Sequence, residues 1–260
     1  MCLIVCALEQ HPRYRLIVAA NRDEFHHRLS RPAAFWDHAP HVLAGRDESA
    51  GGTWLGVTVQ GRFAAVTNYR DPRRPLIDGT SRGTLVSSFL EGDASPEDYL
   101  SDISRRGHEY NGFNLLVADR AGMWYYSNCG GTLQRVTTGF HGLSNHLLDT
   151  PWPKVTAAVS GLEQVVRQQE PGCDLLFEVL TDSRPFPDQL LPETGVGLER
   201  ERQLSSLFIS GSHYGTRSST VVMVGYDGGV EFCERSFDAK MHCTGEVRHI
   251  LPGRRSGGGQ

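Results

Sequence analysis

The chain is 260 residues long, with 39% hydrophobic and 22% charged residues, which is enough apolar material for one sizeable core. A net charge of −4, with arginines scattered among acids, excludes a nucleic-acid scaffold. Apolar runs such as residues 16–20 and 221–224 are too short to span a bilayer, and no basic region precedes a long apolar stretch, so no transmembrane segment or signal peptide is expected and a cytoplasmic location follows.

Residues 2–8 form an apolar run, residues 10–13 a proline-containing turn, and residues 14–21 a second apolar run, which together predict a β-hairpin. A second hairpin is expected from residues 53–59 and 62–68 about Gln60-Gly61. Residues 81–90 predict a short helix. A clearer one starts at Ser95, with Pro96 in the first helical position and Asp98 where a capping box places its acid. Residues 113–118 and 123–127 predict a hairpin across Arg120-Ala121-Gly122. Val155, Val159, Leu162 and Val166 give residues 153–169 helical spacing, and residues 173–180 continue as helix beyond Pro171-Gly172. Strands return at 219–226 and 230–237. No linker or repeat divides the chain, so residues 1–251 are expected to form one α+β domain with two sheets, and the Gly-rich residues 252–260 a disordered tail.

Cys2 carries the strongest chemical signal. Removal of Met1 would leave a thiol and an α-amine on one residue. The amine, with a reference pKa of about 7.7–8.0, can act as base for a thiol near 8.5. If Gln10 faces Tyr14 across the first turn, Cys2 lies opposite Arg22, beside Asn21, Asp23 and Glu24. Antiparallel neighbours stand about 4.5–5.5 Å apart at Cα, so an arginine and two carboxylates would surround the thiol. Cys6, about 13 Å along a straight strand, is beyond disulfide reach of Cys2 and reads as core. In a reducing compartment the 6 cysteines are expected to be mostly thiols.

Ala20-Asn21-Arg22-Asp23-Glu24-Phe25 resembles the motif of the NRDE family, also called the transport and Golgi organisation protein 2 family. The resemblance continues through Ala44-Gly45-Arg46-Asp47, Gly51-Gly52-Thr53-Trp54, Val66-Thr67-Asn68-Tyr69, Ser81-Arg82-Gly83 and Tyr110-Asn111-Gly112-Phe113-Asn114. It closes with Gly142-Leu143-Ser144-Asn145-His146, Thr150-Pro151-Trp152-Pro153-Lys154 and Tyr214-Gly215-Thr216-Arg217-Ser218, so that it covers roughly residues 1–237. It implies a four-layer αββα sandwich of two mainly antiparallel sheets, similar to N-terminal nucleophile hydrolases, whose cysteine branch cleaves amide bonds. In that resemblance Cys2 is the nucleophile, Asp23 its orienting carboxylate, Asn145 the oxyanion-supporting amide and Arg217 the arginine near the nucleophile. Asn21, Arg22, Asn68 and His146 are expected to bind substrate. One departure stands out. The acylases carry an arginine three residues before the aspartate, where this chain has Ala20, and Arg22 leaves a regular strand on the face opposite Asn21 and Asp23.

Two functions follow as expectations. One is a cysteine amidohydrolase acting on a small or lipid-like amide. The other is a non-catalytic carrier of haem or another hydrophobic ligand, linked to trafficking or Golgi organisation, and that link is carried by the family resemblance alone. No metal is expected, because neither H-E-x-x-H nor paired C-x-x-C occurs, and haem would enter only as a bound ligand. Ser218-Ser219-Thr220 could bind an anion or simply open a polar strand. Trp54, Trp124, Tyr125 and Tyr126 read as packing.

Overall fold

Two aliphatic runs meeting at a tight turn leave the backbone one economical pairing, and the first hairpin takes it. In the computed structural model, which describes residues 2–131, 133–168 and 170–253, β1 (Cys2–Leu8) runs antiparallel to β2 (Tyr14–Phe25). Cys2 stands opposite Arg22 and Leu8 opposite Leu16, the register expected from the turn. β2 continues four residues past the expected end, carrying the Asn-Arg-Asp-Glu run inside the strand.

The chain then forms β3 (Ser30–Trp36) and β4 (Ala39–Asp47), which the sequence pattern did not signal, and the expected pair β5 (Leu55–Thr58) and β6 (Phe63–Asn68). Next come helices α1 (Gly83–Glu91) and α2 (Pro96–Arg106), and strands β7 (Phe113–Asp119), β8 (Gly122–Ser127), β9 (Leu133–Arg135) and β10 (Gly139–Leu143). Helices α3 (Pro153–Val166), α4 (Cys173–Val179) and α5 (Leu198–Gln203) precede β11 (Tyr214–Gly225), β12 (Val230–Phe237) and β13 (Cys243–Leu251). Ser95 caps α2 as expected, its hydroxyl accepting the Asp98 N–H at 3.2 Å. The expected helical end at Gln169, most of the expected tail (254–260) and Met1 lie outside the described residues.

All pairings are antiparallel. One sheet has the order β10-β1-β2-β11-β12-β13, the other β3-β4-β5-β6-β7-β8-β9. The pleat sends alternate residues of β1 and β2 to opposite faces. Ile4, Cys6, Leu16 and Val18 enter the layer between the sheets, against Leu43, Phe63 and Leu116. Leu3, Val5, Ile17 and Ala19 pack outward on Val155 and Leu162 of α3 and on Leu176 and Phe177 of α4. On the far side Val86 and Phe89 of α1 and Leu100 of α2 cover Val42, Ala64 and Leu115. Three apolar layers therefore separate four layers of secondary structure, α–β–β–α. Central strands are buried on both faces, which explains why β1 and β2 read as unbroken apolar runs.

The cysteines are not uniformly thiols. Cys173 of α4 and Cys233 of β12 are disulfide-bonded, tying the helical layer to its sheet, while Cys2, Cys6, Cys129 and Cys243 are free. Two spatially close cysteines 60 residues apart carry no spacing signal, so their pairing was not legible in the sequence. Among the described residues no helix is long and apolar enough to cross a membrane.

Candidate functional site

Cys2, Arg22 and Ser218 form one rung across β1, β2 and β11. They lie on the same face as Ile4 and Ala20, so their side chains point between the sheets at the end where the two sheets part. A cleft of about 260 Å³ opens there. Its floor and walls come from Cys2, Arg22, Trp54, Val66 and Asn68, and its rim from Glu24, Arg28, Asp47 and the segment 79–83. The Arg22 guanidinium lies 4.3 Å from the Trp54 ring centroid. Arg28 is held by Asp47 at 2.7 Å and by Glu24 at 3.9 Å. Arg82 donates to the Gly112 carbonyl at 3.1 Å. The loops behind Trp54 and before α1 touch backbone to backbone. A Cβ on Gly52 would sit 2.5 Å from the Gly83 carbonyl carbon, so only glycine permits this wall.

The structure brings some of the sequence-predicted residues together and separates others. Cys2, Arg22, Asp23 and Asn68 line the cleft. Asn21 faces the helical layer instead, donating to the Leu180 and Leu207 carbonyls at 3.0 and 2.8 Å and accepting from the Ser219 hydroxyl, so it staples loops to β2. Asn145 is fully buried behind the cleft. Its Nδ2 donates to the Asn68 carbonyl at 3.0 Å and its Oδ1 accepts from Arg70 at 3.3 Å. The asparagine that lines the thiol's cleft is therefore Asn68, and Asn145 fixes its backbone. His146 also lies away from the cleft, bonded to the Thr150 hydroxyl at 2.9 Å and packed against Tyr69 and Trp152. Burial holds its pKa below the ordinary value. Arg217 is the extra residue of a β-bulge between Thr216 and Ser218, and its guanidinium caps the Phe25 and His26 carbonyls at 3.2 and 2.8 Å. A bulge formed by long-range pairing cannot be read from residue spacing.

Beneath the cleft, on the helical side of β2, lies a buried charged cluster that the sequence reading missed. The Asp23 carboxylate accepts from the Thr216 hydroxyl at 2.7 Å, and its backbone carbonyl from Tyr214 at 2.9 Å. Lys154, on the first turn of α3, donates to the Leu204 carbonyl at 3.1 Å, while Arg70 and Glu201 pair at 2.6 Å. Burial raises the Asp23 pKa, with the Lys154 ammonium opposing it, and burial lowers Lys154 to about 8. The available signal was a lysine inside the apolar face of a predicted helix. Dense packing also pushes the Cys2 thiol up, although part of the residue stays open to the cleft. Arg22 and a hydrogen bond from the Asp23 N–H act the other way. The Ser144 hydroxyl anchors the Cys2 carbonyl at 3.1 Å.

Such a site can present a thiol to a carbonyl carbon, with Asn68 in the same lining, and receive charge at Arg22. Away from the cleft, Cys173, Glu231 and Cys233 are the group that brings three metal-type ligand atoms together among the described residues. There the two sulfurs are bonded to each other, which leaves them no lone thiolate for a metal.

The sequence matches the family described as Transport and Golgi organisation 2 over residues 1–239. It is 40% identical over 257 residues to the Transport and Golgi organization protein 2 homolog of Bos taurus and 39% identical to that of Homo sapiens, each alignment covering 91% of this chain and 93% of the relative. Among solved structures it is similar to a Caenorhabditis elegans N-acylethanolamine-hydrolyzing acid amidase ortholog. That likeness has a TM-score of 0.49 and 11% identity, and covers 85% of this chain and 92% of the other.

Proposed function

The chain belongs to the Transport and Golgi organisation 2 family, and on the geometry of its cleft we propose that it is an amide hydrolase with Cys2 as nucleophile. The observation that carries this reading is the placement of Cys2. It opens an edge-paired strand, faces a cleft between two sheets, and shares that cleft with Arg22 and Asn68. With Met1 removed, the α-amine takes the thiol proton and the thiolate attacks the amide carbon. The oxyanion forms against Asn68. Collapse breaks the carbon–nitrogen bond, the amine departs with the proton, and water then hydrolyses the thioester to acid and free thiol. Asn145 and Arg70 hold Asn68 from behind, and Asp23 keeps the strand end in place through Thr216 and Tyr214. A carrier of haem or another hydrophobic ligand finds less support in a cleft lined largely by charged and small side chains.

The test is hydrolysis of a panel of N-acyl amides by wild-type protein and by Cys2→Ser. The variant should lose nearly all turnover while keeping its unfolding midpoint. Asn68→Ala should lower kcat by about 10²–10³, the usual loss for one oxyanion donor. Turnover indifferent to Cys2→Ser, or absent from the wild type, removes the hydrolase reading.

A further inference from the structure

Arg22 is only 5% exposed, lines the cleft, and has a buried Nη1 without a hydrogen-bond partner among the described residues. Ser218, its neighbour on the next strand, has a buried hydroxyl in the same condition, as does the Nε of Arg217. The bulge also brings the two guanidinium groups within electrostatic reach of each other. Burying one guanidinium away from water is costly, and placing a second near it raises that cost unless an anion arrives.

The neighbouring acids do not fill this role. Asp47 and Glu24 are engaged with Arg28, and the Asp23 carboxylate is held by Thr216 on the other face of β2. The two oxygens of Glu234 accept from the Ala33 N–H at 2.8 Å and the Thr220 hydroxyl at 3.1 Å, and its ion pair with Arg22 is not formed. Arg22 is thus a preset cation with no direct ion-pair partner among the described residues; Glu234 acts on it only from a distance.

We propose that the substrate carries a free carboxylate close to its scissile amide, received beside Cys2 by Arg22, which Ser218 adjoins on β11, so that the substrate class is an N-acyl amino acid. This deepens the hydrolase reading and rests on it. Distance sets the class. Residues opposite each other on antiparallel strands stand about 4.5–5.5 Å apart at Cα, so an acid group at Arg22 is only a few bonds from a carbonyl at Cys2. Shape agrees, because the guanidinium is held over the Trp54 ring, 4.3 Å from its centroid, and a planar guanidinium suits a planar carboxylate. Charge agrees as well. Glu24 and Asp47 at the rim tolerate a monoanion better than a phosphate dianion.

Binding is read by titration calorimetry on the Cys2→Ala protein, which cannot turn over its ligand, with N-octanoylglycine, N-octanoylglycinamide and octyl phosphate as probes. The acid should bind about tenfold or more tightly than the amide, the worth of a charged hydrogen bond. Arg22→Met should abolish that preference, and Ser218→Ala should weaken it. Equal affinity for acid and amide, or tighter binding of octyl phosphate, overturns the proposal. So does a preference that survives in folded Arg22→Met. If Arg22→Met does not fold, an undiminished preference in Ser218→Ala overturns it instead. Acid selectivity in a protein without hydrolytic turnover would retire the hydrolase reading and keep the carboxylate site. Turnover with equal rates on acid and amide substrates would do the reverse.

Discussion

Glu234→Gln isolates one buried charge whose effect on stability has a definite sign. Glu234 sits on β12 with its side chain in the layer between the sheets, where it accepts from the Ala33 N–H of β3 and the Thr220 hydroxyl of β11. Burial pushes its pKa from an ordinary 4.5 up to about 7, against the pull of Ala33, Thr220 and Arg22. Between those two values the folded protein keeps a proton that the unfolded chain has already released. Stability must therefore fall as pH rises through this window, and stay level below 4.5 and above 7 as far as this group is concerned. At 1.36 kcal/mol per pH unit, the gap amounts to on the order of 3 kcal/mol. Glutamine preserves the shape. Its carbonyl can accept from Ala33 while its amide donates to a reoriented Thr220 hydroxyl. Urea unfolding of both proteins from pH 4.5 to 8 should show the wild type losing ground steadily across the window. The variant should lack this component and be the more stable of the two at pH 8. Parallel stability curves for the two proteins would refute the reasoning.

Two further substitutions probe the supports of the cleft. Arg70→Met leaves Glu201 buried without its ion-pair partner and should cost about 3–5 kcal/mol, with most of the loss recovered in Arg70→Met/Glu201→Met; urea midpoints decide this. Gly142→Ala places a Cβ 2.4 Å from Val155 Cγ1 and 2.8 Å from Val159 Cγ2, so α3 must shift from β10. Thermal unfolding should show a loss of about 1–3 kcal/mol, relieved by Val155→Ala.

The sequence alone determined those features that depend on near neighbours. A proline turn between two aliphatic runs set the register of the first hairpin, and with it the opposition of Cys2 and Arg22. A serine, a proline and an acid in order set the start of α2. Pleating placed Arg22 on the face away from Asn21 and Asp23, as strand periodicity requires. Pairing between distant segments decided the rest. β10 reaches β1 across more than a hundred residues, and only that contact shows that Asn145 stands behind Asn68 and not beside the thiol. The bulge in β11 exists only because β2 lies next to it, and it turns Arg217 onto the carbonyls of the neighbouring turn while leaving Ser218 level with Arg22. β3, β4 and β13 carry mixed and partly exposed side chains, so alternation was too weak to announce them. Glu234 looks like a surface residue in a list of letters, and Lys154 is marked only by its place on the apolar side of a helix; both became buried charges through what the distant chain packs around them. Local chemistry fixes which way a strand points, whereas desolvation is set by whatever the remote chain packs on top of it.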